Sequence, residues 1–369
     1  MGIIAVVIIY SFLVGIINLI FPKIFRPTKI ANQLPSVSIV VPVRNEIRIL
    51  KESSKSLLAL NYKDLQIIYY DDASSDGSSQ YLSTLSKENK DKVRYIKRNS
   101  PQKGWLGKNY ACYTAASKAK GEYLLFIDAD VIISNQDLLS EVISFMKANN
   151  LEGLSLMPEQ RSNGFITKYL VPFIMQWPIL NFMPMKLAEL IKVSFFANGQ
   201  FLLVTNQAYK AISGHESVKH SLIEDISLFK RLTSKGYSVQ TLFNSDDIHT
   251  YMYEDLSSSI NGFAKNLYYV FGGNLFSFSI WQILLFSNLI PFFYLFITKD
   301  ALPLVILILF SRLLMIIRNR GSILIELLMF PVQLILFIAI SWISIYRNLT
   351  KKVVWKDRDI YSSSSTSIA

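Results

Sequence analysis

The chain has 369 residues, a formal net charge of +11 and one cysteine, Cys112. A single cysteine excludes an internal disulfide framework and is typical of a reducing compartment. The positive charge would suit a nucleic-acid partner, but the sequence contains no recognisable nucleic-acid-binding motif. Attraction to anionic lipid explains the charge of a membrane-bound chain more simply. We therefore expect membrane lipids, and no nucleic acid, among the partners.

The first residues form an apolar segment that is long enough to cross a bilayer. The stretch "GIIAVVIIYSFLVGIINLIF" holds about 20 uncharged residues, which is the length that a membrane-spanning helix needs. No basic residue precedes it and no small-residue cleavage site follows it, so we interpret residues 1–22 as a retained anchor. Because Lys23, Arg26 and Lys29 come next, the positive-inside rule places the following region in the cytoplasm.

Three further apolar stretches predict a C-terminal transmembrane region at residues 275–349. Arg312 interrupts the middle stretch and makes it the weakest of the three candidates. Three late spans would put the basic start of the polar tail, residues 350–369, outside the cell and against the positive-inside rule. A re-entrant stretch around Pro331 would remove that conflict. These segments predict a multi-pass protein of the cell membrane.

Strand-like and helix-like patterns alternate between the apolar ends. This rhythm predicts an α/β domain with a doubly wound, mostly parallel sheet. Such sheets bind ligands at the carboxyl ends of their strands. Neither a G-x-G-x-x-G motif nor a P-loop is present. The predicted strands are 37–43, 65–70, 93–98 and 122–128, and the predicted helices are 46–60, 78–87, 107–121 and 135–149. The polar clusters at the predicted strand ends are Arg44 with Asn45 and Glu46, Asp71 with Asp72, and Asp128 with Asp130.

The stretch "LLFIDADV" carries two carboxylates, Asp128 and Asp130, directly after an apolar run. If the strand continued, both side chains would project to the same side and would repel each other. A divalent ion with oxygen ligands, Mn²⁺ or Mg²⁺, is the natural way to relieve that repulsion. The alternative is that Asp130 caps the next helix. Against it, Ser134 and Asp137 already form a capping-box pattern.

The regular alternation of strand-like and helix-like segments ends after residue 158. The segment 165–196, rich in Phe, Met, Trp and Pro, could form helices in the membrane interface or could belong to the protein core. Residues 246–274 form an amphipathic interface segment, with a helix over 255–271 that leads into the next span. Between these segments, Glu224 and Asp225 begin a predicted helix, whose dipole would hold the Asp225 carboxylate ionised.

Several motifs occur in the order found in family 2 glycosyltransferases, which have the GT-A fold. They are "VSIVVPVRNE", "DDASSDGS", "GKNYA", "FIDADV", "GQFLLVTNQAY" and "LIEDISLFKRLTSKGY", and the resemblance covers roughly residues 36–245. The anchor, the late spans and the tail "VVWKDRDIY" resemble a narrower group, the bacterial carotenoid glycosyltransferases that act on 4,4'-diaponeurosporenoate and their hopanoid-associated relatives. The Q-x-x-R-W motif of processive synthases is missing, which favours a single transfer.

The resemblance implies a role for individual residues. Asp225 in "IED" matches the general base, and Asp130 with Asp128 matches the D-x-D that holds Mn²⁺ or Mg²⁺ and the nucleotide diphosphate. Glu224, His215 and His249 are accessory or acceptor-side candidates, although each histidine could also be purely structural. The implied nucleotide-sugar-binding residues are Pro42, Arg44, Glu46, Asp72 (for the uracil ring), Lys108 (near the diphosphate) and Asp128.

The expected function is that of a membrane-bound, inverting hexosyltransferase. It would move a hexose, glucose in the first instance, from a UDP-sugar to an apolar lipid such as 4,4'-diaponeurosporenoate. The acceptor could instead be a polyprenyl phosphate, a diacylglycerol or a hopanoid. A different class of protein, a non-catalytic sugar-nucleotide-binding assembly subunit, is the remaining alternative.

Overall fold

The computed structural model describes residues 2–98, 102–190, 196–355 and 358–359. The chain divides into two compact units. The sheet unit consists of Ile24–Arg161, Lys192–Met252 and Val354–Ala369. The helical unit consists of Met1–Lys23, Ser162–Ile191 and Tyr253–Val353.

The sheet unit is built on an eight-stranded mixed sheet with the strand order β3-β2-β1-β4-β7-β6-β8-β5. Among the described residues, the four pairs β1–β2, β1–β4, β2–β3 and β6–β8 are parallel and the other three are antiparallel. This result confirms the predicted α/β class with a mostly parallel sheet. The strands β1 to β10 are Val37–Val43, Leu65–Asp72, Val93–Arg98, Tyr123–Ile127, Val131–Ile133, Gly153–Gln160, Phe201–Thr205, Val239–Thr250, Val354–Trp355 and Arg358–Asp359, the last two forming a separate pair.

Six helices belong to the sheet unit and seven to the helical unit, counted over the described ranges. Those of the sheet unit are α2 to α5, α8 and α9. In chain order, α1 to α13 are Gly2–Ile20, Ile47–Leu58, Ser78–Glu88, Gly107–Ala116, Leu138–Ala148, Phe165–Phe182, Met185–Leu190, Asn206–Ala211, Glu224–Ser234, Leu256–Val270, Leu275–Tyr294, Leu302–Arg318 and Ile323–Leu349.

The sheet has an apolar layer on each face, as a doubly wound fold requires. On one face Ile39 of β1 belongs to the same buried cluster as Leu50 of α2. On the other face Val40 belongs to a second cluster with Ala111 of α4 and Phe229 of α9. Because successive residues of a central strand enter opposite layers, "VSIVVPV" is apolar throughout instead of alternating. This arrangement is why the bounds of β1 were predictable to the residue.

The predicted capping box at the start of the fourth helix of the sheet unit is wrong. Helix α5 begins at Leu138, and its N-cap residue Asp137 makes no side-chain cap hydrogen bond. Ser134 directs its hydroxyl to Nδ1 of His249 at 3.4 Å, because strand β5 ends immediately before it and pairs with β8. Asp130 precedes β5 and cannot cap α5, so the capping alternative for Asp130 is also excluded.

In the helical unit, four described helices are long and apolar enough to cross a membrane by length and composition. They are Gly2–Ile20, Leu275–Tyr294, Lys299–Arg318 and Ile323–Leu349. The last of these is one continuous helix of 27 residues that contains Pro331. The structure therefore contradicts the re-entrant stretch that we considered around this proline.

Arg312, which weakened the middle span in the sequence, is accommodated inside the helical unit. Its side chain is 5% exposed and its Nη2 lies 2.6 Å from Oε2 of Glu326, near the start of α13. The guanidinium also lies 5.1 Å from the ring centre of Phe173 and 5.8 Å from that of Phe330. A charged group among apolar helices is tolerated when it is paired and faces the bundle interior. Arg312 therefore does not argue against a span.

The aromatic segment after residue 164 forms α6, and most of its side chains are buried within the helical unit. Phe173 and Trp177 stack with ring centres 5.2 Å apart, and Trp177 lies edge-on to Phe330 of α13. Of the two interpretations that the sequence left open, this burial favours core over interface. Beyond residue 190, the stretch 191–195 of that segment lies outside the described residues.

The amphipathic segment predicted at 246–274 contains α10. This helix begins at the N-cap residue Asp255, which forms a capping box with Ser258. Its apolar face buries Phe263 and Leu267. The glycosyltransferase-like region expected from the sequence ended at residue 245. Strand β8 runs on to Thr250 and so crosses that boundary.

Candidate active site

Asp128 lies in a turn, not in a strand, and it is bound to a lysine. Strand β4 ends at Ile127, and the backbone N–H of Val131 donates to the carbonyl oxygen of Asp128 at 3.2 Å. The alternation argument for Asp128 and Asp130 therefore does not apply. Lys108, in the first turn of α4, places its Nζ 2.8 Å from Oδ1 of Asp128. From the sequence we expected a positive charge beside Asp128. In this structure the ammonium group of Lys108 supplies it.

Lys108 also binds the second acidic pair. Its Nζ lies 2.9 Å from Oε1 of Glu224, the first residue of α9. Burial alone would lower the pKa of Lys108, but the carboxylates of Asp128 and Glu224 outweigh it and raise the pKa well above its ordinary value. The lysine is therefore positively charged at neutral pH and links the turn after β4 to the start of α9.

Asp225 is held by backbone groups. Its Oδ2 accepts the backbone N–H of Gly199 at 2.7 Å. Its Oδ1 accepts the backbone N–H of the next residue, Ile226, at 2.8 Å. Gly199 lies in a turn before β7. The residue before it, Asn198, is fixed because its backbone N–H donates to the Ser155 hydroxyl at 2.8 Å. A side chain at Gly199 would press on the Asp225 carboxylate, because a Cβ at this position would lie 3.3 Å from Oδ2.

The electrostatics of Asp225 differ from what its helix position predicts. Removal from water raises the pKa of Asp225 to about 7, and the neighbouring Glu224 carboxylate adds to this shift. Lys108 and the two backbone N–H groups act in the opposite direction. The expectation that the helix dipole keeps this carboxylate ionised is therefore wrong. Desolvation and a like charge outweigh the dipole, and the result is a carboxyl group that can exchange a proton near neutral pH.

These groups line one pocket of the sheet unit. Six of the residues selected from the sequence line it, and apolar and small residues complete the wall. The six are Pro42, Lys108, Asp128, His215, Glu224 and Asp225; the others include Cys112, Phe126, Gly199 and Leu228.

The loops expected to hold the nucleotide lie beside this pocket and are joined to each other. Nη1 of Arg44 donates to the carbonyl oxygens of Asp72 at 2.8 Å and Ala73 at 3.2 Å. The backbone N–H of Glu46 donates to the hydroxyl of Ser78 at 3.1 Å. Arg44, Glu46 and Asp72 therefore fix the ends of β1 and β2 together, and none of the three lines the pocket itself.

Asp71, which the sequence grouped with Asp72, is structural. The side chain is fully buried at the end of β2. Its carboxylate accepts the hydroxyl of Tyr95 at 3.1 Å, the hydroxyl of Ser79, and the backbone N–H of Ser74 at 2.9 Å. Asp72 is the last residue of β2, and these bonds stabilise the loop that follows it.

The residues suited to a metal are Asp130 and Asp128. Within the described ranges, no group of three or more His, Cys, Asp or Glu side chains is arranged to hold an ion. Mg²⁺ and similar ions are, however, commonly bound by one or two carboxylates together with substrate phosphates. The two half-buried carboxylates of this turn fit an ion that a diphosphate completes, and do not form a protein-only cage.

His249 is placed away from the pocket. It lies on β8 opposite Ile132 of β5, and its Nδ1 is 3.4 Å from the Ser134 hydroxyl. Burial and the nearby Arg161 lower its pKa, so the imidazole is neutral. These contacts favour the structural alternative for His249.

Two residues that contact the candidate site residues were not singled out in the sequence. Gly199 supplies the N–H that holds Asp225, and Tyr209 bonds His215, with its hydroxyl 2.9 Å from Nδ1. Both residues lie in the quoted motif "GQFLLVTNQAY", so the motif was identified but its individual roles were not. A glycine directly before an apolar strand was the available signal for a close backbone approach.

The fold of this chain resembles that of a solved mannosyltransferase. Across 95% of this chain and 99% of the other, the fold resembles the mannosyltransferase PcManGT of Pyrobaculum calidifontis, solved in complex with GDP-Man and Mn²⁺, with a TM-score of 0.60 and 15% sequence identity. The likeness at this identity concerns the fold, which is the GT-A type expected from the sequence.

Comparison with known sequences shows which proteins this chain resembles. Residues 38–207 match the model of Glycosyl transferase family 2. It is 25% identical over 233 residues to the 4,4'-diaponeurosporenoate glycosyltransferase of Staphylococcus haemolyticus, covering 63% of this chain and 61% of that protein. It is 30% identical over 120 residues to the GalNAc(5)-diNAcBac-PP-undecaprenol beta-1,3-glucosyltransferase of Campylobacter jejuni, covering 32% of this chain and 36% of that protein. The chain thus spans about three fifths of the length of the two staphylococcal relatives that carry the name 4,4'-diaponeurosporenoate glycosyltransferase.

Proposed function

We propose that this protein is a membrane-bound, inverting glycosyltransferase that moves a hexose from a UDP-sugar to an apolar lipid. The first candidate acceptor is a carotenoid carboxylate such as 4,4'-diaponeurosporenoate, with glucose as the sugar. The observation that carries the proposal is the position of Asp225. Its carboxyl group lines the same pocket as Asp128 and Lys108 and has a pKa raised to about 7.

The donor side is assigned to the turn after β4 and to Lys108. Departure of the nucleotide diphosphate builds up negative charge, which positive groups must stabilise. Mn²⁺ or Mg²⁺, held by Asp130 and Asp128, would supply most of that stabilisation. Lys108 lies within 2.8 Å of Asp128 and is charged, so it can place its ammonium near the same diphosphate.

The acceptor side is assigned to Asp225. An alcohol acceptor must lose its proton during attack, and a carboxylate whose pKa is near the working pH is well suited to take it. Gly199 and Ile226 hold both carboxylate oxygens, which fixes the direction in which the base can act. Direct displacement with one base inverts the anomeric centre, so a UDP-α-sugar gives a β-glycoside.

The nature of the acceptor decides how much the base contributes. A carotenoid carboxylate is already ionised at neutral pH and needs no base, whereas a diacylglycerol or hopanoid hydroxyl does. The four apolar helices would keep the catalyst in the bilayer in which such acceptors dissolve. The support for a lipid acceptor is therefore this membrane attachment together with the lipid-type acceptors named for both relatives.

A transfer assay with the full-length protein in detergent tests the proposal. UDP-glucose is supplied with Mn²⁺ or with EDTA, and diaponeurosporenoate, a polyprenyl phosphate and a diacylglycerol are offered as acceptors. Products are measured by mass spectrometry, and lipid extracts from cells with and without the protein are compared. Transfer to one lipid that requires the divalent ion is the expected result.

The opposing result is equally specific. UDP-glucose binding without hydrolysis or transfer to any lipid, together with unchanged cellular lipid extracts, would identify a non-catalytic assembly subunit instead.

A further inference from the structure

His215 is a polar side chain that the reaction described above does not use. It lies in a short 3-10 turn, Gly214–Val218, just after α8, and only 2% of the residue is exposed. The imidazole packs against Phe126 of β4, with ring centres 4.6 Å apart. It also lines the same pocket as Asp225.

One nitrogen of this imidazole is fixed by Tyr209. The tyrosine hydroxyl lies 2.9 Å from Nδ1 and accepts the backbone N–H of His215 at 3.1 Å. A hydroxyl that accepts this N–H still has its own proton to donate, and Nδ1 is the acceptor within reach. Gly214 allows this close approach, because a Cβ there would overlap the tyrosine ring. We therefore assign the neutral tautomer with the proton on Nε2.

The other nitrogen has no hydrogen-bond partner among the described residues. Burial lowers the pKa of His215 to about 3, which outweighs the opposing effect of Glu224, so the ring is neutral. Because His215 lines the pocket and its Nδ1 is already engaged by Tyr209, the Nε2–H can donate to a ligand that enters the pocket.

The chemistry of the pocket selects the kind of group that this N–H can bind. A phosphate is attracted to the charged Lys108 and to the divalent ion that Asp130 and Asp128 would hold, and a neutral imidazole adds little there. A metal is excluded at Nε2, since a protonated nitrogen cannot ligate. A hydroxyl group has lone pairs that accept a neutral N–H, and hydroxyl groups are what a hexose presents.

We propose that Nε2–H of His215 donates a hydrogen bond to one hydroxyl group of the donor hexose, so that His215 is a sugar-selecting residue. The inference rests on the proposed function, because it requires the pocket to hold the sugar of a UDP-hexose. Asp128 and Lys108 act on the diphosphate, Asp225 acts on the acceptor, and His215 distinguishes hexoses that differ at one hydroxyl position.

The test compares UDP-glucose with UDP-sugars that lack one hydroxyl each, at positions 2, 3, 4 and 6. The two variants are Tyr209→Phe, which keeps the imidazole, and the double variant Tyr209→Phe with His215→Phe, which replaces it without leaving a buried hydroxyl unpaired. We expect the double variant to lose roughly 3- to 10-fold in kcat/KM for UDP-glucose relative to the single variant, as for one neutral hydrogen bond.

The loss must be specific to one position. For one deoxy-sugar, which has already lost the bond, the single and double variants should give equal kcat/KM values, and UDP alone should bind both equally in calorimetry. Equal losses for all four deoxy-sugars, or a parallel loss of UDP affinity, would overturn the inference. If the unaltered protein transfers sugar from no UDP-hexose, the proposed function fails. If it is active and shows the non-specific pattern, only the role of His215 fails.

Discussion

Two pairs of acidic residues in the sheet unit look alike in the sequence but are held differently. Asp128 and Asp130 lie in the turn after β4, and Glu224 and Asp225 begin α9. Lys108 contacts one member of each pair, Asp128 at 2.8 Å and Glu224 at 2.9 Å. Asp225 instead accepts neutral backbone N–H groups.

The difference shows what determines the chemistry of a carboxyl group. A carboxylate beside a cation stays ionised, which suits it to holding charge and geometry. A carboxyl group that is desolvated and lies next to a second carboxylate can gain and lose a proton near pH 7, which suits it to acid–base work. This difference supports our proposal that the turn after β4 serves the donor and the start of α9 serves the acceptor.

The largest effect is expected at the turn after β4, to which we assign the divalent ion. Asp130→Ala should abolish transfer and weaken UDP-sugar binding in the presence of Mn²⁺, because the ion loses a ligand. Transfer is measured with the lipid acceptor, and binding by calorimetry with and without Mn²⁺. Asp91→Ala, which changes an exposed acidic residue elsewhere in the sheet unit, is the control. A variant that binds and turns over like the parent would remove Asp130 from the metal site.

The second effect separates the two pairs by role. Asp225→Asn keeps the shape of the side chain and an oxygen that can accept the Gly199 N–H, but it removes the charge. We expect nearly normal UDP-sugar affinity with kcat lower by roughly 100-fold or more for an alcohol acceptor, as for loss of a positioned base. A carboxylate acceptor should show a smaller loss.

Glu224→Gln is the matched control for that experiment. It removes the neighbouring charge while leaving the Asp225 carboxylate and its two backbone bonds in place. An Asp225→Asn variant that keeps its kcat, or that loses stability and kcat together, would show that Asp225 is structural.

The third effect is the pH dependence of the reaction. With an alcohol acceptor, kcat/KM should fall about tenfold per pH unit below about pH 7, as Asp225 takes up a proton. The folded state binds this proton more tightly than the unfolded chain does, because its pKa is raised. The contribution of Asp225 to the free energy of unfolding therefore decreases as pH rises from about 4 to about 7. A flat profile with an alcohol acceptor would contradict the assignment of the base.

The sequence predicted the sheet better than it predicted the site. Strand β1 was predictable to the residue, because a strand buried on both faces leaves a continuous apolar run. The contact of Lys108 with Glu224 was not, because it joins residues far apart in sequence and depends on how α4 and α9 pack. For the same reason Asp225 could be identified by its motif, but the direction of its pKa shift could not: local sequence shows the helix start and does not show desolvation.

The smallest expected effect lies at Lys108, the residue that the two acidic pairs share. Its charge lowers the pKa of Asp225 and so opposes the larger effects of burial and Glu224. Lys108→Met keeps most of the length of the side chain and removes that charge. The pH midpoint of kcat/KM should therefore move upward, and UDP-sugar binding should weaken through the lost contact near the diphosphate.

Lys108→Arg, which keeps the charge, is the matched variant and should leave the midpoint near that of the parent. Since the two variants change the same position, a shift in the methionine variant alone reports charge and not packing. A midpoint that is unchanged in Lys108→Met, in a protein that melts at the parent temperature, would show that the two acidic pairs act independently. A midpoint that moves downward would mean that Glu224, released from its partner, gives up its own charge by protonation and no longer raises the pKa of Asp225. Only the unchanged midpoint would require the assignment of one lysine to both pairs to be abandoned, since a downward shift depends on the contact of Lys108 with Glu224.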